Sequence, residues 1–197
     1  MLTFFISLVI TLTSLIVLRP IAVKLKLVDY PDYRKQHKGQ VPLIGGICIS
    51  IGVCASQIYL NEINLVTGVI LINALLILIL GICDDILNLK AKTKLIIQLI
   101  LVALTVYFSG IKIESLGFLF GFKYSLDLGF FSLPFTILAV VGLINAFNMI
   151  DGIDGQAAIL IIIAISGMFL FNLHTIAPYL SNLLLSIWGG VNPFFNL

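Results

Sequence analysis

The sequence predicts an all-α polytopic membrane protein, and its composition, its mean hydropathy and the length of its apolar runs carry that prediction. Hydrophobic residues make up 60% of the 197-residue chain, only 10% of the residues are charged, and the mean hydropathy is +1.19. Soluble domains are about 45–50% apolar and about 25% charged. The apolar residues recur in runs of about 15–20, the length that crosses a bilayer core. We therefore expect about six to seven transmembrane helices, forming a single integral membrane domain over residues 1–197.

The apolar runs define the expected spans. The first lacks a basic N-terminal region and a small-residue cleavage site, so we interpret it as a retained span and not as a signal peptide. A less apolar stretch near 110–129, with alternating residues, predicts a short periplasmic hairpin. The spans are expected at residues 2–18, 41–60, 65–83, 95–109, 130–145 and 156–172, with a seventh, interrupted by Gly and Pro, at 177–197.

The basic residues predict the orientation. Two loops carry nearly all of them: Arg19, Lys24, Lys26, Arg34, Lys35 and Lys38 in the first, and Lys90, Lys92 and Lys94 in the second. Two spans separate these loops, so they share a side, and short loops rich in Lys and Arg stay in the cytoplasm. The N-terminus is therefore expected to be periplasmic. The net charge of +2 is too small to imply a nucleic-acid partner.

Acidic residues follow two of the expected spans. Asp84 and Asp85 close the third span, and Asp151 and Asp154 come after the fifth. The predicted parity places both pairs on the cytoplasmic face. Adjacent carboxylates near lipid are costly, and they suit Mg²⁺ or Mn²⁺, although a solvated membrane boundary is the alternative interpretation for the first pair.

The second acidic pair belongs to a longer polar string, residues 145–155. Asn145, Asn148, Asp151 and Asp154 recur every three residues, which on a helix places them roughly along one face. Asp-Gly alone is a common turn, but the whole string is harder to explain as a turn. It does not have the order of a calcium-binding EF-hand loop.

Basic side chains supply candidate phosphate ligands. Arg34, Lys35 and Lys38 lie in the first loop beside His37, and basic side chains of this kind bind phosphate. Lys94 lies one helical turn before Gln98 and is expected to face the same side as the Asp pair. A plain membrane anchor remains the alternative role for each of these basic residues. Separately, the cysteines are interpreted as small buried hydrophobic residues: Cys48, Cys54 and Cys83.

These strings resemble the polyprenyl-phosphate N-acetylhexosamine 1-phosphate transferase family. The match rests on residues 27–29, 31–37, 42–46, 84–85 and 144–155, in the family's order and spacing. The Arg34-Lys35-x-His37 form is more similar to the N-acetylglucosamine branch than to the branch that transfers phospho-N-acetylmuramoyl-pentapeptide.

The resemblance implies a reaction and a site. The reaction transfers N-acetylglucosamine 1-phosphate from UDP-N-acetylglucosamine to undecaprenyl phosphate in the bacterial inner membrane, releases UMP and starts a surface glycan such as O-antigen or enterobacterial common antigen. It implies Mg²⁺ or Mn²⁺ with Asp84, Asp85, Asp151 and Asp154 as catalytic or metal-binding acids, and leaves a homodimer open. The residues expected to bind substrate are Asn145, Asn148, Lys94, Arg34, Lys35, His37 and Lys38.

The chain also departs from the family pattern. The family is roughly twice as long, and its second half supplies an Asp motif and a His-rich loop that are absent from residues 1–197. We therefore expect a truncated N-terminal half that is inactive alone. Three alternatives stay open: a phospho-N-acetylmuramoyl-pentapeptide-type transferase, an inactive family member, and an ion-coupled transporter. A transporter predicts charges deep within the spans, whereas the acids here lie at span ends.

Overall fold

The computed structural model describes residues 1–24, 28–29, 41–42, 44–61, 63–118, 124–150, 156–172 and 177–196. Within these ranges the chain is dominated by helices, which confirms the predicted all-α class. The α-helices are α1 Leu2–Lys24, α2 Gly45–Tyr59, α3 Leu65–Leu87, α4 Ala91–Ser109, α5 Ser132–Ile150, α6 Gln156–Asn172 and α7 Pro178–Val191. Short 3-10 helices at Gly129–Phe131 and Asn192–Asn196 precede α5 and follow α7.

Four of the described helical segments are long and apolar enough to cross a membrane: Leu2–Lys24, Leu65–Leu87, Ala91–Ser109 and Gly129–Met149. Gly45–Tyr59 and Gln156–Leu170 are apolar but shorter. A helix rises about 1.5 Å per residue, so a 15-residue helix is shorter than a hydrocarbon core of about 30 Å. The chain is thus a multi-pass membrane protein, and its orientation in the bilayer stays a prediction.

Several helices extend beyond the apolar runs that predicted them. Helix α3 continues through Asp84 and Asp85, α4 already includes Lys94, and α5 continues through Asn145 to Ile150. Backbone hydrogen bonding does not depend on side-chain polarity, so a helix persists where the hydropathy falls. Among the described polar residues, Asp84, Asp85 and Lys94 therefore lie on terminal turns of helices and not in the loop between α3 and α4, and Asn145 lies within α5.

Residues in the left-handed conformation end two of these helices. Asn88 has φ 50° and its N–H donates to the Asp84 carbonyl at 2.8 Å, which closes α3. Gly110 has φ 71° and its N–H donates to the Val106 carbonyl at 3.0 Å, which closes α4. Gly and Asn adopt this conformation at the lowest cost.

The predicted hairpin near 110–129 is confirmed as an antiparallel pairing. Ser115 forms a bridge with Asp127, and the Leu116 N–H donates to the Leu126 carbonyl at 2.9 Å. Ser132 donates to the Ile113 carbonyl at 2.6 Å and ties the hairpin to the start of α5. The side of the membrane on which it lies is untested.

A second antiparallel pair was not expected. Strands β1, Val28–Asp29, and β2, Val41–Pro42, pair with Val28 opposite Pro42. They lie on either side of residues 30–40, which are outside the described part of the chain.

The chain divides into two compact units, and each is described separately. Unit 1 comprises Met1–Thr67 and Phe147–Leu197, and unit 2 comprises Gly68–Ala146. The single-domain organisation stays a prediction. In unit 1, α1, α2 and α7 pack through small residues such as Ser7, Gly52 and Gly190. Small side chains let membrane helices approach closely.

Unit 2 contains the end of α3 with Asp84 and Asp85, the start of α4 with Lys94, and Asn145 of α5. Its core joins Val102 and Val106 of α4 to Val141 of α5. The cysteines are divided between the units. All three are free, and Cys48 is fully buried against Ala22 and Ile44, while Cys54 and Cys83 are only partly buried. The interpretation as small buried residues therefore fits Cys48 best.

Candidate functional site

Four polar side chains form two pairs within unit 2. Asp84 occupies the last turn of α3 and Lys94 the first turn of α4. Gln98 follows one turn later on α4, and Asn145 lies on α5. Helix α4 therefore contributes one member to each pair.

The first pair is the ion pair of Asp84 and Lys94. Nζ of Lys94 lies 2.6 Å from Oδ2 of Asp84, and the side chains of Lys94 and Asp84 are only 19% and 24% exposed. The short turn after Asn88 brings the start of α4 back beside the end of α3. The predicted position of Lys94 on the side of the Asp pair is thereby confirmed for Asp84.

Asp85 occupies a different position from its neighbour. Consecutive residues on a helix are rotated by about 100°, so the two carboxylates point in different directions. Asp85 is exposed, whereas Asp84 is partly buried. Lys94 of the next helix thus binds Asp84, and Asp85 lies on a different, more exposed part of the surface of α3.

The second pair is formed by two amides. Nδ2 of Asn145 donates to Oε1 of Gln98 at 2.8 Å and to the Val141 carbonyl, also at 2.8 Å. Gln98 is 1% exposed. Asn148, three residues further along α5, is exposed. The structure therefore joins Asn145 to α4 and leaves Asn148 at the surface.

The other predicted site residues lie outside the described part of the chain: Arg34, Lys35, His37, Lys38, Asp151 and Asp154. Their roles stay predictions.

The donor chemistry of the described acids suits a hard divalent cation. Lys94 engages one carboxylate oxygen of Asp84, so that carboxylate has a second oxygen that could serve as a ligand. Mg²⁺ is usually bound through one or two carboxylates together with substrate phosphates and water. Among the described residues, no group of three His, Cys, Asp or Glu side chains converges on one point. The acids described are therefore compatible with a metal that substrate and further acids help to hold.

The ion pair also suits an anionic ligand. An ammonium group carries three donors, and Asp84 uses one of them. Lys94 can therefore contact a phosphate without leaving the carboxylate, which restrains its position. Partial burial of both side chains strengthens each charge interaction relative to bulk water.

Gln98 is the residue that the predicted site omitted. Its spacing of four residues from Lys94 indicated a shared helix face, but the pattern gave no partner for the amide. The sequence did indicate that Gln98 has a partner. A glutamine within an apolar run is expected to be buried, and buried polar groups are nearly always hydrogen-bonded.

Comparison with known proteins covers most of the chain. Residues 67–196 match the model of the family described as Glycosyl transferase family 4. This region includes all four residues of the two polar pairs.

Curated relatives match over a similar or longer stretch. The undecaprenyl-phosphate alpha-N-acetylglucosaminyl 1-phosphate transferase of Yersinia pestis is 37% identical over 145 residues, 74% of this chain and 40% of that protein. The probable undecaprenyl-phosphate N-acetylglucosaminyl 1-phosphate transferase of Bacillus subtilis is 40% identical over 169 residues, 83% of this chain and 45% of that protein. The Escherichia coli K12 transferase with the same name as the Yersinia protein is 36% identical over 137 residues, 70% and 37% of the two chains. The chain thus spans less than half the length of these relatives.

Proposed function

We propose, because this chain belongs to glycosyl transferase family 4, that it forms the N-terminal membrane part of an enzyme that transfers N-acetylglucosamine 1-phosphate from UDP-N-acetylglucosamine to undecaprenyl phosphate. The products are UMP and a lipid-linked sugar that starts a surface glycan. The active site faces the cytoplasm from the inner membrane.

The observation that carries the proposal is the Asp84–Lys94 pair in the region that matches the family. Both reactants are anionic at the reacting centre, since a phosphate attacks and UMP leaves. Phosphoryl transfer depends mainly on positioning and on neutralising charge. A lysine positioned by a partly buried carboxylate meets the first requirement, and its remaining ammonium donors contribute to the second together with a divalent cation.

Deprotonating the nucleophile requires little from the protein. A phosphate monoester has a second pKa of about 6, so it is mostly dianionic at neutral pH. We therefore assign Asp84 and Asp85 to positioning and metal binding first, and to general-base work second.

The remaining roles follow from the same chemistry. Asp85, Asp151 and Asp154, together with the second oxygen of Asp84, would hold Mg²⁺ or Mn²⁺, which neutralises the charge that develops on the phosphates. The proposal assigns the nucleotide sugar to Asn145, Asn148 and the basic residues of the first loop. That last set is Arg34, Lys35, His37 and Lys38.

The direct test is transfer by the full-length protein in membrane preparations. We expect UMP release that requires UDP-N-acetylglucosamine, undecaprenyl phosphate and a divalent cation. Asp85→Asn, Asp151→Asn and Asp154→Asn should each lower the rate by about 10²-fold or more, the typical cost of removing a group that stabilises the transition state.

Asp127→Asn is the matched control, because this acid lies exposed on the hairpin and accepts a hydrogen bond from Ser125. Its rate should equal that of the wild type. Transfer from UDP-N-acetylmuramoyl-pentapeptide but not from UDP-N-acetylglucosamine would reject the proposed sugar, and no transfer from either would reject the function.

A further inference from the structure

Gln98 is the most buried member of the two polar pairs, and its role goes beyond the roles assigned above. We propose that Gln98 is a positioning residue that fixes the Asn145 amide so that its carbonyl oxygen is presented to a donor group of the nucleotide sugar. The inference rests on the proposed function, because it takes Asn145 as a residue that binds the substrate.

The backbone determines which way the Asn145 amide is turned. The Val141 carbonyl can only accept, so the group that faces it at 2.8 Å must be the Nδ2 amino group. The second hydrogen of the same amino group points to Gln98. Both donors of Asn145 are therefore used inside the protein, and Oδ1 is the atom that the side chain presents to a ligand.

The orientation of Gln98 follows from that of Asn145. Two amino groups cannot hydrogen-bond to each other, so Gln98 must present Oε1 to Asn145, as it does at 2.8 Å. Without this acceptor, one hydrogen of Asn145 would lose its partner. A rotamer of Asn145 that pairs this N–H with another acceptor would then become more favourable than the present one.

Packing alone does not account for an amide at this position. Gln98 is 1% exposed and lies one turn before Val102, which belongs to the apolar core of unit 2. An apolar side chain of similar length would fill the same space without the cost of burying an amide. What the amide adds is a directed acceptor for a residue on the neighbouring helix.

Helix α4 gives this interaction a wider consequence. Lys94 and Gln98 lie one turn apart on the same face, and they hold Asp84 and Asn145 respectively. One rigid helix therefore sets the positions of a charged group on α3 and an amide group on α5. Loss of either contact would release one of these two groups from α4.

The test compares the activities of two substitutions, Gln98→Met and Gln98→Glu. If Gln98 only fills space, Gln98→Met should be the more active enzyme, whereas a positioning role predicts that Gln98→Glu is the more active one. Gln98→Met keeps the length of the side chain and removes the acceptor. Gln98→Glu keeps an acceptor oxygen at the same place but is less suited to an apolar core. Thr105→Val is the control, since it removes a hydroxyl from α4 that bonds only to the Leu101 carbonyl at 3.0 Å among the described contacts.

In the full-length protein we expect Gln98→Met to lower kcat/KM for UDP-N-acetylglucosamine by about tenfold, by analogy with the cost of removing a group that orients a metal ligand. The effect should be mainly on KM, because Asn145 is proposed to bind the substrate. Gln98→Glu should retain more activity than Gln98→Met, and Thr105→Val should match the wild type. In an Asn145→Ala background, Gln98→Met should have almost no further effect.

Two results would overturn the inference while leaving the proposed function intact. One is a Gln98→Met enzyme that is as active as wild type or more active than Gln98→Glu. The other is an equal loss from Gln98→Met with and without Asn145→Ala. A wild-type protein without any transfer activity would reject the proposed function and this inference together.

Discussion

At the scale of single residues, the Asp84–Lys94 pair is the contact with the clearest energetic meaning. Exposed ion pairs contribute about 0–1 kcal/mol, because water screens them and both side chains lose entropy. This pair is largely withdrawn from water, with 19% and 24% of the side chains exposed. Removing one partner therefore leaves a partly buried charge unpaired. The resulting loss in the free energy of unfolding is larger than the stabilisation that the intact pair provides.

We predict that Lys94→Met lowers transfer by about 10²-fold, since it removes a cation from the site where phosphates meet. Lys94→Arg should lose less, because it keeps the charge but changes the geometry. UMP release by the full-length variants measures both effects. Lys112→Met is the control, since its partner Glu114 lies 3.7 Å away and both side chains are well exposed. Wild-type rates for Lys94→Met would contradict the role of this lysine.

At the scale of helices, close approach in unit 1 depends on glycine. A Cβ at Gly189 of α7 would overlap the carbonyl oxygen of Phe4 and lie 3.1 Å from its Cα. These are backbone atoms, so the conflict can be relieved only by moving α1 away from α7. Helix association in membranes relies on such close contacts, since lipid supplies no hydrophobic driving force between helices.

Gly189→Ala should consequently destabilise the protein by about 2 kcal/mol, the usual cost of overpacking. The midpoint of thermal unfolding in detergent measures the effect. Gly167→Ala on α6 is the matched control, because a Cβ there meets nothing within 4 Å. Alanine is the better helix former by about 1 kcal/mol, so the control should be neutral or stabilising. Equal midpoints for the two variants would contradict the packing argument.

At the scale of the whole molecule, the basic loops predict one orientation. Nine of the eleven Lys and Arg residues lie in two segments that are expected at the cytoplasmic face, namely the end of α1 with the loop after it and the turn before α4 with the start of α4. The proposed site requires that orientation, because nucleotide sugars are cytoplasmic substrates. The described helices establish membrane-crossing length for four segments but not their direction.

Cysteine labelling tests the orientation in intact cells. In a variant without the native cysteines, Ser125→Cys on the hairpin should react with an impermeant thiol reagent. Asn88→Cys, in the turn between α3 and α4, should react only after the membrane is opened. Both positions are exposed in the structure, so burial would not explain a difference. The reverse pattern would place the Asp84–Lys94 pair in the periplasm and reject the proposed site.

The amino-acid sequence by itself determined the membrane class, the order of the helices and the position of the hairpin. Apolar runs and their interruptions are local properties of a chain in lipid, so they can be read without knowing any contact. The position of Lys94 on the same side as Asp84 was likewise predictable. The turn between α3 and α4 is short, and the spacing of four residues places Lys94 and Gln98 on one face of α4.

Only the tertiary structure decided which polar groups are partners. Hydropathy marks where an apolar run ends, whereas a helix ends where its backbone hydrogen bonds stop. The fifth span was therefore predicted to end at residue 145, although α5 continues to Ile150. Gln98 had no predicted partner because Asn145 lies 47 residues away in the chain. The close contact between Gly189 and Phe4 was hidden for the same reason: it depends on the packing of distant helices, which no local pattern encodes.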